Sequence, residues 1–274
     1  MSATTAVILV LALQTAQSAA ADTSASGLPL EGAAAEEFLK TAKIVSVGNF
    51  PTHGVTRPQK VELTDGDRTL FAVFKTIDEY AQRKEFPDGN TELNFSDSWK
   101  YEIAAYELDK LLRLGIVPPV VGRWIQGSEG SLSLWVEDSM TEWERLKVKK
   151  LSAPDTVAWN NQMYTVRLFL QLIYDVDFKN VNNLLVAPDW KVYKIDSSRA
   201  FRTHKKLFAE ESLDRFSRAV IASLRKLTME QLEASLGQWL SKRQIKALWV
   251  RRGLILELAD QMVEENGEDT VLFD

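Results

Sequence analysis

The stretch DVDFKNVNNLLV (residues 175–186), followed by APDW and then KVYKID (191–196), decides the fold. Two short apolar runs, 183–186 and 191–195, read as strands joined by a Pro188-Asp189 turn. A loop dense in Asp and Asn precedes them. Asp177 and Asn182 stand five residues apart, and Asp196 closes the second strand. Carboxylate and amide oxygens are hard ligands, suited to magnesium or manganese rather than zinc. Asp and Asn are also ordinary turn residues, so the loop alone has a plain structural account. Its value depends on what the rest of the chain sets beside it.

Working outward toward the N-terminus, 42–48, 59–64 and 70–74 read as strands, with Asp65-Gly66 as a hairpin turn. The third ends in Lys75. A polar stretch with Pro and Gly (78–94) precedes a helix over 99–114, whose apolar residues recur at three- and four-residue spacings. Ser96, Asp97 and Ser98 offer capping oxygens at its start; Gly115 and Pro118-Pro119 stop it. Strands at 120–125 and 132–136 follow. Beyond Thr141 the pattern is mainly helical, with an apolar helix over 159–174 and two or three amphipathic helices in 208–266. The expected class is α+β. It is a bilobal protein-kinase-like fold with a small antiparallel-sheet N-lobe carrying one helix (36–138) and a mainly helical C-lobe (139–274).

Phosphoryl transfer needs a lysine on the nucleotide phosphates, a carboxylate to orient it, oxygens for metal, and a carboxylate for the acceptor's proton. Lys75 ends an apolar strand, and Glu102 lies in the first turn of the next helix, within reach of it. Taken alone, such a couple reads as two solvated charges. With Asp177, Asn182 and Asp196 in the kinase order, the set reads as a phosphotransferase site. Gly54, in PTHGVT (51–56), would let backbone amides approach phosphates, or serves only as a turn glycine. Arg199 and Arg202 would contact an acidic or phosphorylated substrate, or pair with acidic groups of the C-lobe. Trp135, Trp159 and Trp190 read as core; His53 and His204 have no evident partner.

The 274 residues carry a formal net charge of -5, against a general nucleic-acid binder. Cysteine is absent and histidine occurs twice, which excludes disulfides, thiolate chemistry and histidine-rich metal clusters. The first 21 residues hold no charged side chain, and AVILVLAL (6–13) precedes small residues at 18–21. That reads as a signal peptide lacking a basic n-region, or as an alanine-rich leader that stays attached. The run is shorter than the roughly 20 residues a bilayer span needs. Residues 22–35 read as a flexible linker. The expected location is exported if the leader is genuine, and otherwise cytoplasmic.

The segment SDSWKYEIAAYELDKLLRLGIVPPVVGRW (96–124) resembles the helix-and-strand region of the secreted Golgi casein kinase family and its bacterial relatives. WNNQMYTVRLFLQLIYDVDFKNVNNLLVAPDWKVYKIDSSRAFR (159–202) is similar to their catalytic and metal-binding region. More distantly, both resemble phosphatidylinositol 3- and 4-kinases and HipA-type kinases. The resemblance implies Lys75 as nucleotide lysine, Glu102 as its partner, Asp177 as catalytic aspartate, and Asn182 and Asp196 as metal ligands. It also implies a hinge beside the adenine at Glu137-Asp138. Departures are Phe178-Lys179 after the catalytic aspartate, Val181 for a glycine, Ser197-Ser198 after Asp196, and no GxGxxG loop. A one-residue insertion would make Asn183 the ligand in place of Asn182. The expectation is a kinase using ATP or another nucleoside triphosphate, with Mg2+ or Mn2+, on a hydroxyl of a protein, sugar, lipid headgroup or small molecule. The alternatives are a pseudokinase binding module and an exported helical interaction protein.

Overall fold

The computed structural model describes residues 27–49, 58–86 and 89–274. The chain enters through a helix, α1 (Gly32–Thr41), and three strands, β1 (Lys43–Asn49), β2 (Gln59–Thr64) and β3 (Thr69–Lys75). A hairpin of β4 (Asp78–Glu85) and β5 (Thr91–Ser98) leads into α2 (Trp99–Leu112), then β6 (Val120–Ile125) and β7 (Ser128–Leu134). The second half holds β8 (Met140–Thr141), a π-helical segment (Glu144–Lys149), α3 (Thr156–Ile173), β9 (Leu184–Val186) and β10 (Val192–Lys194). The helices α4 (Arg218–Lys226), α5 (Met229–Leu236) and α6 (Lys242–Asn266) follow, and a short helix (Glu268–Val271) precedes Leu272–Phe273, which pairs in parallel with Phe216–Ser217.

The N-lobe sheet has the order β1-β2-β3-β7-β6, antiparallel throughout. The β2–β3 register is set at Asp65, whose Oδ1 accepts from Asp67 N at 3.0 Å and Arg68 N at 2.9 Å while Gly66 takes φ +99°. With that register fixed, Val61, Leu63, Ala72 and Phe74 all face inward and are buried. They pack with Phe38 and Leu39 of α1, and Arg123 of β6 donates to Leu39 O at 2.7 Å and Ala42 O at 2.6 Å. A cation there satisfies carbonyls the helix C-terminus leaves open.

The start of the chain corrects one expectation. The described part of the anticipated 22–35 linker is packed: Leu28 and Ala35 are buried, and α1 begins at Gly32. The polar stretch 78–94, to which the sequence assigns no element, builds most of the β4–β5 hairpin.

Ser98 caps α2 through Lys100 N at 3.2 Å. The helix ends two residues before the expected Leu114, where Arg113 turns left-handed at φ +58°. Asp109 holds the exit, accepting from Ile116 N at 2.9 Å and Gly115 N at 3.1 Å. Although α2 lies between N-lobe strands in sequence, Trp99, Ile103, Leu108 and Leu112 belong to the helical core shared with α3, α5 and α6. The same helix touches β6 and β7. It is thus buried against both lobes.

In the C-lobe, Asp155 caps α3 through Val157 N and Ala158 N, both at 2.9 Å. Arg251 of α6 is fully buried and donates to Leu172 O at 2.9 Å, Arg202 O at 3.0 Å and His204 O at 2.5 Å. Burial without a carboxylate pulls its guanidinium down to about 9. The three carbonyls belong to the end of α3 and to the chain after Asp196, so this one side chain ties together the segments that flank the site.

Candidate active site

Lys75 ends β3, Glu102 sits in the first turn of α2, and Asp196 follows β10. The fold brings the three together: Lys75 Nζ lies 2.6 Å from Glu102 Oε1 and 2.9 Å from Asp196 Oδ1. Gly130 of β7 permits this packing. A Cβ there would stand 2.2 Å from Lys75 O and 2.8 Å from the Phe74 ring, so no larger residue fits. Glu102 is anchored a second time, its Oε2 accepting from Ser197 N at 3.1 Å. Asp196 adopts φ +57°, a left-handed conformation that costs a non-glycine residue about 1–2 kcal/mol and recurs at functional sites.

The charges reinforce one another. Burial pulls the Lys75 ammonium down, but Asp196 and Glu102 outweigh it and hold it above the ordinary lysine value. The Lys75 ammonium in turn holds the Asp196 carboxyl down to about 2, against its burial. Asp196 is therefore ionised at any ordinary pH, and 39% of its side chain remains exposed.

Beneath this triad lies the 175–183 loop. Asp175 is completely buried, with its Oδ2 2.9 Å from Lys194 Nζ, and Lys194 also donates to Ile195 O at 2.5 Å and Asp196 O at 2.9 Å. Asp175 Oδ1 accepts from Asp177 N at 2.9 Å, so the loop is fastened to the segment carrying Asp196. The Asp177 side chain is 34% exposed and 3.3 Å from Arg199 Nη1. Burial raises its carboxyl above the usual range, with Arg199 opposing. Asn180 Oδ1 accepts from Asn182 N and Nδ2, both at 3.2 Å, and Asn180 Nδ2 donates to Asn183 Oδ1 at 3.2 Å.

A cavity of about 500 Å³ opens between the lobes. Lys75, Glu102, Asn182 and Asp196 line its polar end, while Val73, Val120, Leu134 and Leu185 are among its apolar walls. Asn182 faces this space and Asn183 is buried in the loop beneath it. Asp177 does not line the cavity. Nor does Glu137, whose amide donates to Gly27 O at 2.7 Å; Val136 and Ser139 line the cleft at the strand exit instead. Trp135, expected in the core, also lines it, under the Lys60 ammonium at 4.3 Å from its ring. Gly54 and His53 lie outside the described residues. His204 has a partner after all, its ring 4.9 Å from that of Tyr174.

Two features escaped the sequence reading. Glu92 of the β4–β5 hairpin pairs with both Arg199 and Arg202, the latter at 2.5 Å, and so joins the hairpin to Asp177 through Arg199. Asp97, whose carboxyl is pushed up by burial against a hydrogen bond with Ser198, stands beside Lys75 and Asp196. The sequence Pro-Asp-Gly-Asn at 87–90 is the available signal for the hairpin; nothing in the local sequence signals the pairing of Glu92 with residues over a hundred positions away.

The fold has a counterpart among solved structures. The structure of hydra Fam20 with sugar, from the Golgi casein kinase family, superposes with a TM-score of 0.62 at 17% identity, covering 87% of this chain and 90% of that one. The fold is bilobal and kinase-like. The resemblance read from 96–124 and 159–202 therefore holds at the level of architecture. The Neurospora crassa PAN3 pseudokinase also aligns, at a TM-score of 0.30 and 11% identity over 84% of this chain and 67% of that one, too low to bear on the fold. No family model matches the sequence, and no curated protein does. Among the described residues no helix is long and apolar enough to cross a membrane.

Proposed function

We propose that this chain is an atypical kinase that transfers the terminal phosphoryl group of ATP, or another nucleoside triphosphate, to a hydroxyl acceptor. The observation that carries the reading is Lys75 Nζ between Glu102 and Asp196 at the polar end of an apolar-walled cleft. The apolar walls suit a base, and the polar end suits its phosphates.

The donor set fits a hard divalent cation. Asp196 is ionised and partly exposed, and Asn182, whose Nδ2 donates to Asn180, lines the cleft. Asp196 and Asn182 would hold such an ion, with phosphate and water supplying its remaining ligands. When bound, Mg2+ or Mn2+ neutralises charge on the phosphates. Lys75 holds the phosphates by its ammonium, and Glu102 keeps that ammonium in place. Asp177 accepts the acceptor's hydroxyl proton. The acceptor oxygen forms its new bond to phosphorus as the bond to the bridging oxygen breaks, releasing the nucleoside diphosphate. The raised carboxyl of Asp177 brings it closer to the working pH of a general base.

A second reading, a nucleotide-binding module without turnover, is favoured by the Arg199 contact that occupies Asp177. The hydra structure was determined with sugar, so a sugar hydroxyl belongs in any acceptor panel beside protein and lipid headgroups. Export rests on the leader at 1–21, which lies outside the described residues.

The test is nucleotide turnover by the purified chain with Mg2+ or Mn2+. Asp177→Asn is expected to lower it roughly 10²–10⁴-fold while leaving nucleotide binding intact. Asp196→Ala is expected to abolish metal-dependent binding as well. Binding without turnover, unaffected by Asp177→Asn, would establish the second reading.

A further inference from the structure

Nine large apolar side chains are exposed among the described residues, and five of them fall within fifteen positions: Trp143, Leu146, Val148, Leu151 and Val157. Each has between 41% and 67% of its surface in water, too much for random scatter in so short a stretch. Lys147, Lys149 and Lys150 are interleaved with them and exposed. None of the three forms an ion pair among the described residues.

The patch is held open. Arg145, buried behind it, pairs with Glu142 at 2.5 and 2.8 Å, donates to Leu151 O, and lies 4.6 Å over the Trp159 ring. Leu151 N returns a bond to Arg145 O at 3.0 Å. With its inner face pinned, the π-helical turn presents its apolar and cationic side chains outward.

The chemistry of the patch selects its occupant. Lysine is depleted from the cores of protein interfaces, yet here it alternates with the apolar residues. A second copy of the chain would bring the same three lysines face to face. An anionic lipid surface accepts both kinds of side chain at once: Trp, Leu and Val enter the boundary below the headgroups, while the flexible lysine stems carry their ammonium groups up to the phosphates. The local positive charge stands against a chain of net charge -5, so it is a property of this edge and not of the whole surface.

We propose that the 143–157 edge of the C-lobe docks on an anionic lipid surface, with Trp143, Leu146, Val148 and Leu151 at the headgroup boundary and Lys147, Lys149 and Lys150 on the headgroups. The patch adjoins the cleft, since Thr141 and Glu144 line both the approach to it and the cavity. The proposal does not rest on the kinase reading.

Co-sedimentation of the full chain with vesicles tests it. Binding is expected to phosphatidylcholine vesicles containing phosphatidylglycerol, to be absent from phosphatidylcholine alone, and to weaken with added salt. Replacing the three lysines by glutamine is expected to lower the partition coefficient on the order of a hundredfold, at roughly fivefold per lysine. Leu146→Asp with Val148→Asp, at sites already exposed, is expected to abolish binding while the thermal midpoint and nucleotide turnover stay unchanged. Retention of vesicle binding in both variants overturns the proposal. So does failure to bind anionic vesicles, whether the chain then self-associates through the patch in sedimentation velocity, captures a polyglutamate probe instead, or does neither.

Discussion

Lys194 and Lys75 each meet an aspartate at the same distance, and their surroundings differ. Lys194 and Asp175 meet at 2.9 Å with 2% and 0% of their side chains exposed, sealed in the C-lobe. Lys75 meets Asp196 at the same 2.9 Å, but Asp196 is 39% exposed and Lys75 is 18% exposed. A sealed pair is costly to form and more costly to break, because removing one partner leaves the other charged in a low dielectric. An open pair can pass its partners on. Under the proposed function, phosphate would take the place of Asp196 at Lys75, and Asp196 would then be free for a cation. The same contact therefore serves as a rivet in one place and as a placeholder in the other.

The contrast is broken most directly at the rivet. Lys194→Met leaves Asp175 unpaired and is expected to cost about 3–5 kcal/mol in urea unfolding. Adding Asp175→Asn keeps the acceptor for Asp177 N while removing the stranded charge, and is expected to recover most of that loss. If Lys194→Met alone proves mild, Asp175 is not sealed as described.

At the placeholder, the expectation is reversed. Lys75→Met should lower turnover roughly 10²–10³-fold, equivalent to about 3–4 kcal/mol of barrier, because the phosphates lose a preorganised cation. Its effect on unfolding should be smaller, about 1–2 kcal/mol, since Glu102 keeps Ser197 N and Asp196 can turn to water. A stability loss equal to that of Lys194→Met would remove the distinction between the two pairs.

How far these pairs could be read from the sequence follows the same physical division. Lys75, Glu102 and Asp196 were legible because each ends or begins an element with a strong local signal: the FAVFK strand, the capped helix at Ser98, and the short strand of KVYKI. Asp177 and Asn182 were legible by interval alone, and the cavity then separates Asn182 from Asn183 by facing only the first. Lys194 passed unnoticed, since a lysine in a short strand carries no mark of burial. The β4–β5 hairpin is hidden in the sequence because most of β4 and the first half of β5 face water, so apolar and polar residues do not alternate there and the period-two signal is missing. Glu137 was placed at the hinge by analogy of order. Its backbone amide is taken by Gly27, in a segment that composition marks as linker.

A third buried carboxylate sharpens the comparison, because it has no lysine in contact. Asp109 is 3% exposed and is held by the backbone amides of Gly115 and Ile116. Burial outweighs the amides and the Lys191 charge that oppose it, and its carboxyl is pushed up to about 6, whereas Lys75 holds Asp196 down to about 2. The sign follows from proton counting. Between about pH 4 and 6 the folded chain keeps a proton on Asp109 that the unfolded chain has released. Stability contributed by this group is thus full below the unfolded value and falls as pH rises through that window, by up to about 3 kcal/mol for two pH units. Asp109→Asn removes the titration while retaining one acceptor oxygen. Thermal midpoints measured from pH 4 to 7 should fall less steeply in the variant than in the parent, with the variant weaker at pH 4 and gaining on the parent by pH 7. Parallel profiles would mean that the two amides compensate the buried charge as fully as a lysine does, and that the rivet at Lys194 owes its strength to something other than the pairing of charges.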